Sequence, residues 1–149
     1  MRLPKERREV EGEVSHATGG CACGAVRYEV SAQALMAAIC HCRDCQRTGG
    51  GPYAGHSFVP AGGFQLTKGA PAVYETRSDS GHKVSRFFCR GCGSPLYAKS
   101  TSMPDGVGIR ASSLDDPDGF RPTMHVFTDS APSWAFSSDA LPKFARTPD

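Results

Sequence analysis

The chain has 149 residues, a formal charge of +2 and 39% apolar residues, with seventeen glycines and eleven prolines. That length normally makes one domain able to bury a sizeable core, and the glycine and proline content favours short strands and turns over long helices. The basic residues are scattered rather than striped, which argues against a nucleic-acid partner, and no window approaches the ~18 consecutive apolar residues of a membrane span.

Seven cysteines are present, and Met1 to Ser15 is charged and lacks the apolar segment of a secretory signal. An odd number of thiols without a secretion signal points to a reducing, cytoplasmic setting and to metal ligation rather than disulfides. Seven thiolates and two zinc ions would bring the net charge to about −1, because bound thiols are deprotonated.

Taken in order, residues 1–18 read as a charged, solvated tail or lead-in strand, and residues 19–149 as one zinc-binding domain. Gly19-Gly20-Cys21-Ala22-Cys23-Gly24 is a glycine-rich turn that can curl around a metal. Ala25 to Val30 alternates Val26, Tyr28 and Val30 against Arg27 and Glu29, the pattern of a half-buried strand. Ala34 to Ile39 is expected to be a buried strand feeding Cys40-His41-Cys42-Arg43-Asp44-Cys45, and Arg43 to Thr48 a helical turn that Gly49-Gly50-Gly51-Pro52 stops.

Tyr53 to Val59, with His56 in its middle, and Phe64 to Thr67 read as strands. Val73 to Arg77 and Lys83 to Phe88 read as hairpin arms joined through Ser78-Asp79-Ser80-Gly81. Phe87-Phe88-Cys89-Arg90-Gly91-Cys92-Gly93 is a second two-cysteine knuckle. Leu96 to Ala98 and Val107 to Ala111 are expected as strands flanking a turn at Met103-Pro104-Asp105-Gly106, with Leu114 to Pro122 a loop and Thr123 to Phe127 a last strand. Trp134, Phe136, Leu141 and Phe144 are expected to fold back onto the core. The resulting expectation is a small, mainly β, mostly antiparallel domain with little helix and its thiols on turns.

The economical pairing of the thiols is one closed site from Cys21, Cys23, Cys89 and Cys92, and one open site from Cys40, Cys42 and Cys45. A structural zinc takes about four ligands, whereas a zinc that does chemistry keeps a position free of protein. A three-thiolate zinc carries about −1, so it should accept a soft thiol better than it polarises a carbonyl. Two alternatives stand beside this pairing: a second structural zinc completed by His41, His56, His82 or His125, and three ordinary buried cysteines.

At these residues the chain resembles the glutathione-dependent formaldehyde-activating enzyme family, which also includes centromere protein V. The resemblance runs from about Gly19 to Phe144. It is carried by Gly20-Cys21-Ala22-Cys23-Gly24-Ala25-Val26, by Cys40-His41-Cys42-Arg43-Asp44-Cys45-Gln46 and by Phe64-Gln65-Leu66-Thr67-Lys68-Gly69. Phe88-Cys89-Arg90-Gly91-Cys92-Gly93-Ser94-Pro95-Leu96, Ser113-Leu114-Asp115-Asp116-Pro117 and Pro122-Thr123-Met124-His125-Val126 extend it. The resemblance implies a β-tent zinc fold, structural zinc at Cys21, Cys23, Cys89 and Cys92, and catalytic zinc at Cys40, Cys42 and Cys45. The activity it implies is a carbon–sulfur lyase reaction, the reversible joining of formaldehyde to glutathione.

Three functions follow as expectations. The first is a zinc enzyme acting on a small thiol, with glutathione as the candidate, or on its aldehyde adduct. The second is a non-catalytic zinc-stabilised binding or scaffold protein that uses the charged N-terminal arm. The third is a thiol-redox sensor. His56 and His125 lie in predicted strands and are expected to be hydrogen-bonded structural residues before ligands or bases, and His41 to point away from the metal. Tyr53, Phe58 and Trp134 are expected in the core or in a pocket wall, while Arg43, Arg47 and Lys68 are candidates for glutathione carboxylates with solvated charge as the default.

Overall fold

A computed structural model describes residues 16–135, 141–142 and 144–146. Among these residues, ten strands form two sheets. The smaller joins β1 (Ala17–Gly20), β2 (Arg27–Val30) and β5 (Phe64–Lys68). The larger is built from β3 (Met36–Cys40), β4 (Ala54–Pro60), β6 (Ala72–Arg77), β7 (Lys83–Phe88), β8 (Pro95–Ser100), β9 (Met103–Arg110) and β10 (Met124–Val126). Its spatial order is β10-β3-β4-β9-β8-β7-β6. One α-helix among the described residues, α1 (Arg43–Gly49), interrupts the run of strands. The mainly β expectation is met, with one departure from antiparallel pairing: β10 lies parallel to β3, so its entry from the long β9–β10 connection is a crossover.

The two faces of the large sheet have different duties, because side chains alternate along each strand and cross-strand partners share a face. Val59, Val107, Ile109 and Tyr97 lie on one face and pack with Tyr28 and Val30 of the small sheet, forming the main core. Phe64 of β5 bridges the sheets, its ring centroid 5.4 Å from Tyr28 and 4.6 Å from Tyr97. Each fully buried side chain of this size stabilises the fold by about 1.5–3 kcal/mol. Tyr28 also buries a hydroxyl, satisfied by Ser113 Oγ at 2.6 Å, and burial pushes its pKa up to about 12.

Three expectations change. The turn placed at Met103 to Gly106 falls instead at Thr101 and Ser102, where Ser100 pairs with Met103 and Ser100 Oγ accepts the Ser102 N–H at 3.2 Å. Pro104 is tolerated in β9 because the ladder with β4 begins only at Gly106, so its missing N–H costs no bond there. Trp134, Leu141 and Phe144 are exposed rather than folded onto the core. The small sheet already covers the apolar face they would have reached; Phe136 lies outside the described residues. Tyr53, too, is exposed, touching only the edge of the His41 ring among the ring contacts described for it. Residues 1–15 of the expected tail lie outside the described residues, while Ala17 and Thr18 belong to β1.

The Ser113-Leu114-Asp115 segment fastens the small sheet to the large one. Gly19 bridges to Leu114, and Asp115 accepts from Thr18 Oγ1 at 2.6 Å and pairs with the Arg27 guanidinium. A side chain at Gly19 would overlap the Tyr28 hydroxyl and the Ser113 carbonyl. Gly19→Ala is therefore expected to cost about 1–3 kcal/mol, read as a lowered midpoint in thermal or urea unfolding. The Arg27 guanidinium and the Thr18 hydroxyl hold the Asp115 carboxyl down to about 2, below its ordinary 3.8. Its stabilising contribution is full above the ordinary value and disappears as pH falls through the folded one. Asp115→Asn should lose no more than about 1 kcal/mol at neutral pH, with the difference from wild type vanishing toward pH ~2 in urea titrations.

Candidate metal centres

All seven cysteines are free thiols, and they gather into two clusters. The first brings the β1–β2 turn against the β7–β8 turn: Cys21, Cys23, Cys89 and Cys92 place their sulfurs within 4.8 Å of one another. The Cys21–Cys23 and Cys23–Cys89 sulfur separations are 3.6 and 3.7 Å. A tetrahedron with Zn–S of about 2.3 Å has an edge of about 3.8 Å, so this donor set fits zinc. Backbone amides support the sulfurs, from Val26 to Cys21 Sγ at 3.2 Å and from Gly91 to Cys89 Sγ at 3.4 Å. Each knuckle is followed by a glycine in the left-handed region, Gly24 at φ 78° and Gly93 at φ 77°, a conformation that lets the chain turn away from the sulfurs. The Ala22 N–H donates to Ser94 Oγ at 3.0 Å and ties the two turns together directly.

The second cluster holds Cys40, Cys42 and Cys45, again with all sulfurs within 4.8 Å. Cys40 ends β3, and Cys42 is the N-cap of α1, its sulfur accepting the Cys45 N–H at 3.3 Å. One helical turn thus swings Cys45 back beside Cys42. Gly50, at φ 75°, ends the helix with its N–H on the Gln46 carbonyl. Gln46 is buried and works as a clamp: its amide donates to the His41 carbonyl at 2.8 Å and to the Ser130 carbonyl at 3.0 Å, and its oxygen accepts from Arg43. Thiol hydrogen bonds from Cys40 and Cys45, helped by the Cys45 and Asp44 amides, hold the Cys42 thiol far below the usual range. Cys40 and Cys42, together with burial, push Cys45 far above it.

Among the described residues no fourth donor joins this second set. His56 comes nearest in the described contacts, its Nε2 3.4 Å from Cys45 Sγ. Burial, and then the charge of Arg110, pull its pKa down to about 4, so its ring is neutral at physiological pH. His41 turns to His125 instead, Nε2 to Nδ1 at 2.9 Å, with the rings stacked. His82 sits in the β6–β7 turn beside Thr101. Of the four candidate histidines, the structure brings His56 alone into contact with a clustered sulfur among the described contacts.

The family model described as glutathione-dependent formaldehyde-activating enzyme matches residues 16–130. The chain belongs to this family. A Halomonas elongata protein, provisionally named a glutathione-dependent formaldehyde-activating enzyme, is 32% identical over 123 residues, covering 78% of this chain and 77% of that protein. The crystal structure of a Rhodobacter sphaeroides protein superposes with a TM-score of 0.57 at 25% identity, covering 72% of this chain and 98% of the other. Among the described residues, no helix is long and apolar enough to cross a membrane.

Arg43, Arg47 and Lys68, the candidates for substrate carboxylates, are all exposed. Arg86 and Arg110, not among those candidates, line a cavity of about 330 Å³ beside α1. A signal was present in Val107-Gly108-Ile109-Arg110: alternation places Arg110 on the face opposite Val107 and Ile109. Which groups share that face depends on strand pairing, which the local pattern does not contain.

Zinc-loaded protein is expected to carry two equivalents by elemental analysis. Cys42→Ser should lose one and keep the fold. Cys89→Ser should lose the other and unfold at far lower denaturant, since structural zinc contributes ~10–16 kcal/mol of apparent binding in zinc-finger peptides.

Proposed function

We propose that this protein is a zinc-dependent enzyme of the carbon–sulfur lyase type, joining a small thiol to formaldehyde or releasing it from the adduct, with glutathione as the thiol. The observation that carries this reading is the three-sulfur set of Cys40, Cys42 and Cys45, complete in itself and without a fourth donor among the described residues. The four-sulfur set of Cys21, Cys23, Cys89 and Cys92 has the composition of a closed structural centre. Family membership supports the pairing of glutathione with formaldehyde.

When bound by the three cysteines, zinc supplies a coordination position for a soft sulfur and lowers the pKa of an incoming thiol. Three thiolates around one zinc leave about −1 on the group, which suits activation of sulfur better than polarisation of a carbonyl. Cys42 and Cys45 hold their positions through the helix cap, and the Gln46 clamp keeps the loop closed against the Ser130 carbonyl. Neutral His56 supports Cys45 from β4 without adding a charge.

In the synthetic direction the substrate sulfur gives up its proton and forms a bond to the formaldehyde carbon. The carbonyl π pair moves to oxygen, which takes up one proton and becomes the hydroxyl of the hydroxymethyl thioether. The reverse reaction breaks that sulfur–carbon bond and returns the same proton. Seven reduced thiols suit a cytoplasmic setting for this chemistry.

Thiols add to formaldehyde unaided, so the measurement is the rate of formaldehyde consumption with glutathione after subtraction of the uncatalysed rate. An excess rate proportional to protein, abolished in Cys42→Ser at unchanged fold, is the expected outcome. No excess rate at full zinc loading would rule out this pair of substrates.

A further inference from the structure

The face of the large sheet turned away from the core carries a continuous cross-strand row: Met36, Phe58, Gly108, Ala98, Arg86 and Tyr74 are successive register partners. One step along, Ala38, His56 and Arg110 form a second row on the same face. The thiol loop and α1 lie over this face. Arg110 is so close to α1 that a side chain at Gly49 would strike its Nη2, and Arg86 approaches Asp44 of α1 at 4.0 Å. The Phe58 ring lies over Gly108, and the small Ala98 beside it leaves the row low next to Arg86. The cavity of about 330 Å³ opens there, with Thr48 of α1 and Phe88 in its wall and the exposed Tyr74 also in its lining. Its size is at the lower end of ligand pockets, ~300–1,000 Å³.

Two guanidinium groups facing one mostly apolar cavity are costly to keep unless an anion joins them, because like charges in a partly desolvated space repel. Arg110 is only 7% exposed, and no ion pair among the described residues includes it. The clustered thiols offset part of its charge, and Arg86 works against it. Arg86 donates to Thr76 Oγ1 at 2.9 Å, which fixes its orientation, while its one acidic neighbour in the described ion pairs, Asp44, is 61% exposed and at the outer limit of an ion pair. Arg110, in the cavity wall, is also the register partner of His56, which touches Cys45, so two neighbouring side chains connect the cavity to the thiol cluster.

We infer that this cavity is an acid-binding subsite in which Arg86 and Arg110 hold a carboxylate of the thiol substrate while its sulfur reaches the Cys40, Cys42 and Cys45 cluster. The inference rests on the reading above for the identity of the sulfur site, and it names the substrate class as thiols that carry a carboxylate on a short skeleton. Neutral thiols and carboxyl-capped thiols are poor substrates, because a guanidinium–carboxylate pair in a partly desolvated space is among the stronger hydrogen-bonded contacts.

The test uses full-length, zinc-loaded protein and S-methylglutathione as calorimetric probe, since its sulfur has no proton to lose and reports the carboxylate subsite alone. Wild type is expected to bind it, Arg86→Gln to bind about tenfold more weakly, and the diethyl ester to bind wild type about tenfold more weakly than the free acid. Arg110→Lys, which keeps the charge and loses the fork, should fall between. Equal binding of acid and ester by wild type, or no binding of the acid, overturns the subsite. If Arg86→Gln does not fold, judged by its zinc content and circular dichroism, the acid-against-ester comparison on wild type decides. Acid-selective binding without any formaldehyde-consuming activity would sustain the subsite and sink the proposed reaction. Activity without acid selectivity would do the opposite.

Discussion

The contact on which the rest of the structure depends is the meeting of two cysteine knuckles, with Cys23 and Cys89 sulfurs 3.7 Å apart across 66 residues of sequence. Cys21 and Cys23 leave the small sheet, while Cys89 and Cys92 lie between two strands of the large one. Four sulfurs within 4.8 Å of one another therefore bring the two layers together, with Cys21 and Cys89 packed into the main core. The Ala22–Ser94 hydrogen bond and the Asp115 contacts to Thr18 and Arg27 reinforce the same junction. A chain with this much loop gains most from such a tie, because closing a long loop in the unfolded state is what costs entropy.

With the layers joined, the large sheet is left with one face for stability and one for chemistry. Val59, Val107 and Ile109 point inward and make the core with Tyr28 and Val30. The alternate positions of the same strands supply His56 and Arg110 to the other face, under the thiol loop. Any change of register by one residue would exchange the two sets, placing a guanidinium in the core and a valine in the cavity. The stability of the core thereby holds the site residues in place without touching them.

The three-thiol loop is a local construction set on that frame. Its geometry comes from a seven-residue helix with a cysteine as its cap and a left-handed glycine as its stop. A helix so short has little stability of its own, and Gln46 compensates by anchoring it to the carbonyls of His41 and Ser130. The His41–His125 contact seals the outer side, between β10 and the loop. The loop is thus bound to parts of the chain some 84 residues away, which no local motif reveals.

Much of this was legible in the amino-acid sequence. Spacing put the thiols into short groups, because Cys-x-Cys, Cys-x-x-Cys and Cys-x-Cys-x-x-Cys are short enough that neighbours must share a turn, while the approach of Cys21 and Cys23 to Cys89 and Cys92 comes from the fold. Alternation located β2 to within two residues, the Ser78–Gly81 turn located the hairpin arm β7, and the glycine run marked the end of α1. Only the tertiary structure decided which histidine meets a sulfur, that Trp134 stays outside the core, and that Arg86 and Arg110 face one cavity. Local pattern sets which groups alternate along a strand and which turn can hold a metal. The partner across the ladder is set by pairing between segments far apart in the chain, and that pairing determined the surroundings of the thiols.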